Sequence, residues 1–284
     1  MTRLSVEGPL RAVVLSAAAL LLASCASLPN TQSTLAGGRW VEYAVKGQGG
    51  PVVVFETGLG ATMRSWEKVF PAVSELTTAF AYSRPGYGDS ELTTSPRAGR
   101  VVVEELRALL EERGLEPPYV LVGHSVGGLY LQLFARLYPR EVAGLVLVDS
   151  THPIDFQGPR ALQHQPWWAR LALGLYMTGP RGREFRAIGE TGRDVLRAPV
   201  PTGMPVIILS AGRAPAPGPE TEQAPLNLRQ DLARLYPGSR QQWVDSGHDI
   251  PRQRPQVVID AIRELVETLR SGGGQYAPRS VTPE

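Results

Sequence analysis

The chain contains 284 residues, of which 43% are hydrophobic and 20% are charged. It is long and apolar enough to form one large or two small domains with a complete core, so the composition excludes an intrinsically disordered protein. The formal net charge at pH 7 is only +2. We therefore expect no nucleic acid partner, and no attraction to anionic lipid through the overall charge.

The first 25 residues carry the features of an export signal. Arg3 and Arg11 precede an apolar segment, Ala12 to Ala23, that is too short to span a bilayer comfortably. The segment ends in Leu-Ala-Ser-Cys, which resembles the bacterial lipoprotein box and implies lipid attachment at Cys25, the only cysteine. Residues 1–25 are then the signal peptide, and the mature protein is anchored to a membrane of the bacterial cell envelope. An ordinary secretory signal cut near Ala26 is the alternative.

The rest of the chain predicts one α/β domain. Residues 26–38 have the small, polar composition of a flexible linker, and residues 271–284 resemble a frayed tail. Between them, extended and helical patterns alternate. Strands are predicted at 39–46, 51–56, 79–83, 119–122, 142–148, 204–210 and 241–245, and helices at 66–76, 101–113, 127–138, 227–236 and 255–270. Apolar strands separated by helices predict a mostly parallel central sheet covered on both faces, with ligands at the carboxyl ends of its strands.

The alternation stops between about residues 150 and 203, which we interpret as an inserted helical cap. Large apolar residues recur there at helical spacing, namely Trp167, Trp168, Leu171, Leu175 and Tyr176. They favour an apolar pocket for an acyl or aromatic group, or they simply pack the cap onto the body of the domain. The pattern does not separate the two.

Ser125 is the candidate nucleophile. It lies in Gly-His-Ser-Val-Gly, residues 123–127, between an apolar strand and a helical stretch. A sharp strand-to-helix turn lifts a serine hydroxyl toward a base, and glycines at 123 and 127 let the strand and the helix approach closely. The amide of Val126 then points to the place where a negative oxygen develops. The alternative is a glycine-flanked serine in an ordinary loop.

A serine nucleophile needs an imidazole base, and the chain has four histidines. His124 neighbours the serine on a strand, so its side chain is expected to point away from the hydroxyl. His152 and His164 fall at the entry to the cap and inside it. His248 follows the last predicted strand, at the same sheet edge as the nucleophile, and is the favoured base. Its alternative is a surface-loop histidine.

Three motifs together make the chain resemble the α/β-hydrolase-fold serine hydrolases, esterase- or lipase-like, over about residues 39–270. They are the Gly-His-Ser-Val-Gly turn, the Ser-Gly-His turn at 246–248 and Arg-Pro-Gly-Tyr-Gly-Asp-Ser at 84–90. The resemblance implies a Ser-His-Asp triad in the chain order nucleophile, acid, histidine, with no cofactor and no metal. It also implies a second oxyanion amide at Leu59, where Thr57 replaces the usual histidine of the loop.

The resemblance leaves the acid open. Relatives usually carry it after the seventh strand, where this chain has Ser-Ala-Gly-Arg-Ala and no carboxylate. Some relatives use a carboxylate at the end of the preceding strand, which here is Asp149, and we favour that residue. The alternatives are Glu220 or Glu222 in a proline-rich loop. Asp149 could instead cap the start of the following segment.

The predicted activity is hydrolysis of a carboxylic ester or related acyl substrate, a small molecule, through an acyl-enzyme. The same triad serves amide hydrolysis, carbon-carbon bond hydrolysis and acyl transfer, so these remain alternatives. Epoxide hydrolases and dehalogenases of this fold resemble the chain in layout but carry aspartate where it has Ser125. A non-catalytic, lipid-anchored binding protein with a hydrolase fold is the alternative of a different class. Oligomeric state is not predicted.

Overall fold

The computed structural model describes residues 28–154, 177–212 and 228–272. The strands in these residues are β1 (Thr31–Ala36), β2 (Arg39–Lys46), β3 (Val52–Glu56), β4 (Ala79–Tyr82), β5 (Tyr119–His124), β6 (Val142–Val148), β7 (Val206–Ala211) and β8 (Arg240–Val244). They form one sheet in the order β1-β2-β4-β3-β5-β6-β7-β8. The six strands β3 to β8 run parallel to one another. β2 pairs antiparallel with β4, and β1 pairs antiparallel with β2. The predicted mostly parallel sheet is confirmed.

The predicted flexible linker over residues 26–38 is wrong where β1 forms. β1 pairs with β2 in the register Thr31 to Ala44 through Ala36 to Arg39. The two residues between the strands are Gly37 and Gly38, with φ of 54° and 76°. A two-residue turn with positive φ at both positions matches the twist of a hairpin, so this glycine pair is a hairpin signal rather than a linker signal.

Helices cover both faces of the sheet. They are α1 (Phe70–Leu76), α2 (Gly99–Glu112), α3 (Val126–Leu137), α4 (Gly179–Arg197), α5 (Leu228–Arg234), α6 (Ile250–Gln253) and α7 (Pro255–Arg270), with 3-10 turns at Met63–Trp66 and Pro139–Glu141. In β3, Val54 packs into the core layer that contains α2 and α3, while Val53 and Phe55 pack into the layer that contains α1 and α7. Strand residues therefore alternate between two cores, as the period of a strand requires.

One helix starts later than the sequence predicts. The pattern indicates a helix over 66–76, but the α-helix begins at Phe70, after the 3-10 turn that ends at Trp66. Pro71 lies in the first turn of this helix, where its missing N–H leaves no intrahelical hydrogen bond unmade. Proline thus favours a helix start at this point.

The predicted cap is described only in part. Within residues 150–203, α4 packs against α2 and α3 on the body of the domain. The apolar residues between Trp167 and Tyr176 lie outside the described residues. The same is true of the predicted signal peptide at 1–25 and of most of the predicted tail. None of the helices in the described ranges is long and apolar enough to cross a membrane.

Candidate active site

Ser125 occupies a strained turn between β5 and α3. Its backbone has φ 55° and ψ −125°, a region that non-glycine residues rarely adopt. Hydrogen bonds hold the turn in place: the Ser125 N–H donates to the Val148 carbonyl at 3.1 Å, and the Ser125 carbonyl accepts from Gly128 and Thr151, each at 3.0 Å. The backbone therefore fixes the serine at the carboxyl end of β5.

The two flanking glycines are sterically required. A Cβ atom on Gly123 would lie 2.6 Å from the Cα of Gly128, and one on Gly127 would lie 2.6 Å from the carbonyl oxygen of Glu56. Both neighbours are backbone atoms, which cannot rotate away. The close approach that the sequence predicts around the serine is present in the structure.

His248 links the serine to Asp149. Its Nε2 lies 3.0 Å from Ser125 Oγ, and its Nδ1 lies 2.6 Å from Asp149 Oδ2. An ionised carboxylate only accepts hydrogen bonds, so Nδ1 carries the proton and Nε2 is free to accept the proton of the serine hydroxyl. The histidine sits in the turn between β8 and α6, at the same sheet edge as the serine. The structure thus brings together three residues that are far apart in the sequence.

Asp149 follows β6 directly and is 6% exposed. Its Oδ1 accepts from the Ala211 N–H at 3.0 Å and from Arg229 Nε at 2.6 Å, and its Oδ2 accepts from Arg229 Nη2 at 3.0 Å. Burial alone raises the pKa of this carboxyl, but the hydrogen bonds from Arg229, His248 and Ala211 outweigh it and hold the pKa well below its usual range. Asp149 is therefore ionised at neutral pH.

Not all of the other acids and histidines considered from the sequence fall in the described ranges. Glu220, Glu222 and His164 lie outside the described residues. His152 is buried elsewhere, where its Nδ1 accepts from the Ile154 N–H at 3.1 Å and its Nε2 lies 3.2 Å from Asp231 Oδ2. Of the histidines that the structure describes, His248 is the one hydrogen-bonded to the serine hydroxyl.

His124 has a contact that the sequence analysis missed. Its Nε2 lies 2.9 Å from the carbonyl oxygen of His248, and the two imidazole rings are 4.8 Å apart between centroids. A carbonyl oxygen can only accept, so Nε2 of His124 carries a proton. Burial lowers the pKa of His124 below its ordinary value, which keeps the ring neutral at pH 7. No spacing rule signals a side-chain contact with backbone 124 residues away.

Arg229 was missed as well. It belongs to α5, the short helix after the proline-rich loop, and it contacts Asp149 across a separation of 80 residues. An arginine on a short polar helix has no distinguishing pattern.

The loop after β3 lies against the nucleophile. A Cβ atom on Gly58 would be 3.3 Å from the Cβ of Ser125, so the backbone of Gly58 packs tightly against the serine. The Leu59 N–H follows in the same loop, and the hydrogen bonds found among the described residues do not use it as a donor. Val126 is the first residue of α3, so its N–H has no acceptor one turn earlier in the helix. Both amides are thus available to a ligand.

The described residues hold no group of three or more His, Cys, Asp or Glu side chains placed to bind a metal ion. What they provide is a hydroxyl, an imidazole that accepts its proton, a carboxylate that fixes the imidazole, and two N–H groups with no partner in the fold. This set can transfer an acyl group.

Comparisons with known proteins agree with this architecture. The family model described as the alpha/beta hydrolase fold matches residues 51–175, which include Ser125 and Asp149. The uncharacterized protein YqjL of Bacillus subtilis is 26% identical over 225 residues, which cover 78% of this chain and 85% of that protein.

Solved structures match over most of the chain. The epoxide hydrolase CorEH is 21% identical with a TM-score of 0.61, and covers 84% of this chain and 99% of its own. A thermophilic esterase from Thermogutta terrifontis is 20% identical with a TM-score of 0.59, and covers 85% and 98%. The chain therefore has the α/β-hydrolase fold, as the motifs predict.

Proposed function

We propose that this chain is a serine hydrolase that cleaves a carboxylic ester or a related acyl compound through an acyl-enzyme. Its fold is one whose relatives in the comparisons include hydrolases of several kinds. The observation that carries the proposal is the position of His248, with one ring nitrogen 3.0 Å from Ser125 Oγ and the other 2.6 Å from Asp149. An imidazole base whose other ring nitrogen is hydrogen-bonded to a carboxylate is the arrangement that activates a serine hydroxyl.

In the acylation half of the proposed reaction, Ser125 Oγ attacks the carbonyl carbon of the substrate while His248 Nε2 accepts the hydroxyl proton. The carbonyl oxygen gains the negative charge, and the N–H groups of Leu59 and Val126 stabilise it. When the carbonyl re-forms, the bond to the leaving alcohol breaks and His248 returns the proton to the alcohol oxygen. Asp149 stays ionised throughout and stabilises the imidazolium.

Deacylation repeats these roles with water as the nucleophile. His248 Nε2 accepts one water proton as the water oxygen attacks the acyl carbon, and the same two amides hold the negative oxygen. The bond to Ser125 Oγ then breaks, the proton passes from the imidazole to that oxygen, and the carboxylic acid leaves. No cofactor enters the balance.

Residue 125 separates this proposal from the epoxide hydrolase reaction. CorEH is an epoxide hydrolase, and the epoxide hydrolases that the sequence resembles carry aspartate at the turn, where this chain has serine. An alkoxide from a serine attacks carbonyl carbon, whereas an aspartate opens an epoxide through an alkyl ester. The serine therefore favours acyl transfer.

A non-catalytic binding protein is the less favoured alternative. Ser125 is strained at φ 55°, and backbone strain of this kind is concentrated at active sites and ligand-binding sites, where the surrounding structure holds the residue in place.

We further propose that the enzyme is exported and held at the cell envelope by lipid on Cys25, as the N-terminal sequence indicates.

Labelling with a fluorophosphonate probe and turnover of short nitrophenyl esters test the proposed activity. The wild-type protein should be labelled once and should hydrolyse the esters. Ser125→Ala should abolish labelling, and His248→Ala should reduce turnover by about 10⁴-fold or more. Ser271→Ala, at an exposed serine beyond α7, is the matched control and should change neither. Labelling that survives Ser125→Ala would remove this serine from the mechanism.

A further inference from the structure

Arg84 is a fully buried charge that lies under the loop carrying the Leu59 amide. It begins the Arg-Pro-Gly-Tyr-Gly-Asp-Ser segment after β4, and its side chain is 0% exposed. Its Nη2 donates to the Gly58 carbonyl oxygen at 2.8 Å, and its Nη1 donates to the Thr57 carbonyl oxygen at 2.8 Å. Nη1 also lies 3.1 Å from Thr57 Oγ1. One guanidinium thus binds two successive carbonyls of the loop.

Two buried carboxylates compensate the charge of Arg84. Its Nη1 is 2.5 Å from Glu56 Oε1, while its Nε and Nη2 are 2.9 Å and 3.0 Å from the two oxygens of Glu184. Glu184 belongs to α4 and also accepts from the Tyr87 hydroxyl at 2.9 Å. Apolar side chains of similar volume often stabilise a core as well as a buried ion pair does, so stability alone does not account for this cluster.

The geometry of the peptide group gives the cluster a purpose. The Gly58 carbonyl and the Leu59 N–H belong to one planar peptide unit, which is trans, so they point in opposite directions. A donor that fixes the carbonyl oxygen therefore fixes the direction of the N–H. A cation on the oxygen also draws electron density from the nitrogen, which strengthens the N–H as a donor. Ala61 N–H contacts the same oxygen at 3.3 Å, a longer and uncharged contact.

We propose that Arg84 is a positioning residue for the oxyanion hole: by binding the Gly58 and Thr57 carbonyls, it aims the Leu59 N–H at the oxygen that becomes negative when Ser125 attacks. This inference rests on the proposed function. It also gives a role to Arg84, the first residue of the segment 84–90, which takes no part in the triad. Because Glu184 binds the other side of the guanidinium, the direction of the Leu59 N–H depends on α4, a helix within the predicted cap.

Pairs of esters and thionoesters test this role specifically. In a thionoester, sulfur replaces the carbonyl oxygen and accepts hydrogen bonds poorly, so an enzyme with working oxyanion donors prefers the ester. Arg84→Lys keeps the charge but cannot bind both carbonyls and Glu184 at once. We expect kcat for the ester to fall about 10- to 100-fold with KM changed less than about threefold, and the ester-to-thionoester ratio of kcat/KM to fall about tenfold or more.

Arg97→Lys is the matched control. Arg97 is also 0% exposed in its side chain and contacts Glu105 at 2.6 Å and Glu184 at 3.4 Å, but it has no hydrogen bond to the loop. It should alter thermal stability and leave the ester-to-thionoester ratio as in wild type. If Arg84→Lys does not fold, Glu184→Gln is the deciding variant, because it removes one of the two counter-charges with little change in shape. The ratio should fall in that variant too, by a smaller factor.

The outcomes separate this inference from the proposed function. A wild-type protein that is neither labelled by a fluorophosphonate nor active on esters would contradict the serine hydrolase itself. A wild-type enzyme that strongly prefers esters, with the same preference in folded Arg84→Lys or in Glu184→Gln, would overturn the role of Arg84 alone. An equal fall of the ester-to-thionoester ratio in Arg97→Lys would also overturn the role of Arg84, because the effect would then come from general loosening of the buried cluster.

Discussion

Arg229 donates two hydrogen bonds to the carboxylate of Asp149, one of 2.6 Å to Oδ1 and one of 3.0 Å to Oδ2. Asp149 has a backbone φ of 38°, which is uncommon for a residue with a side chain. The arginine supplies two of the four hydrogen bonds that the carboxylate accepts, the others coming from the Ala211 N–H and His248 Nδ1. A two-point contact fixes the plane of the carboxylate, and with it the orientation of the imidazole of His248.

Replacing Arg229 by glutamine should lower kcat for nitrophenyl esters by about tenfold, a loss of about 1.4 kcal/mol in transition-state stabilisation. The amide cannot make both hydrogen bonds, so the carboxylate gains freedom to rotate. KM should change little, because Arg229 contacts the acid rather than the acyl group. Steady-state kinetics measure both constants.

Arg263→Gln is the control for that change. Arg263 lies on α7, where its Nη1 donates to Asp260 at 2.9 Å on the exposed side of the helix. Exposed pairs of this kind contribute little to stability, so kinetics should stay at the wild-type level. If Arg229→Gln also stays within twofold of wild type, the carboxylate does not depend on its arginine.

The lowered pKa of Asp149 predicts how acid unfolds the protein. Because its folded pKa lies below its unfolded value of about 3.9, the unfolded state binds more protons in that range. Its contribution to stability is complete above the unfolded pKa and is lost progressively as the pH falls toward the folded pKa. Urea unfolding of wild type and Asp149→Asn between pH 6 and pH 3 measures this.

The free energy of unfolding should fall more steeply with acid in wild type than in Asp149→Asn, so that the gap between the two proteins narrows below about pH 4. The groups that face the carboxylate are Arg229 and His248, and the arginine stays charged throughout. Parallel curves for the two proteins would show that Asp149 titrates normally in the folded state.

Much of the fold and the core of the site could be predicted from local patterns. The boundaries of β2, β6 and α7 match the prediction because each is marked by an uninterrupted pattern and a clear breaker. Ser125 and His248 could be placed because turn motifs after strands collect at one sheet edge. These predictions succeed because they need only the periodicity of short segments and the general geometry of a parallel sheet.

Long-range contacts could not be predicted in this way. Arg84 meets Glu184 across 100 residues, and nothing near either residue marks the other as a partner. The local sequence around a buried arginine does not differ from that around an exposed one. Only the folded structure brings the carboxylates next to it. β1 was missed for a related reason, since a polar edge strand shows little of the hydrophobic alternation that marks a strand.

The envelope location proposed from the N-terminal sequence predicts the effect of Cys25→Ala. Without a thiol, the lipid cannot be attached, and the protein should move from the membrane fraction to the soluble fraction of a bacterial host. Detergent partitioning and immunoblotting of the two fractions measure this. Ser24→Ala, which keeps the cysteine, should leave the protein with the membrane. A variant that stays bound without Cys25 would refute attachment through that residue.

His124→Phe should slow catalysis while the protein stays folded. Phenylalanine keeps a ring packed against His248 but cannot donate a hydrogen bond to the carbonyl oxygen of His248. In the wild-type protein, His124 Nε2 donates to that oxygen at 2.9 Å. Loss of one neutral hydrogen bond corresponds to about 0.5–1.5 kcal/mol, or roughly a two- to tenfold fall in kcat. Because burial lowers the pKa of His124, its replacement should remove no ionisation from the pH profile of kcat/KM between pH 7 and 9. A profile whose shape changes in that range would mean that His124 titrates during catalysis, so that its role would be proton transfer and not support of the His248 backbone.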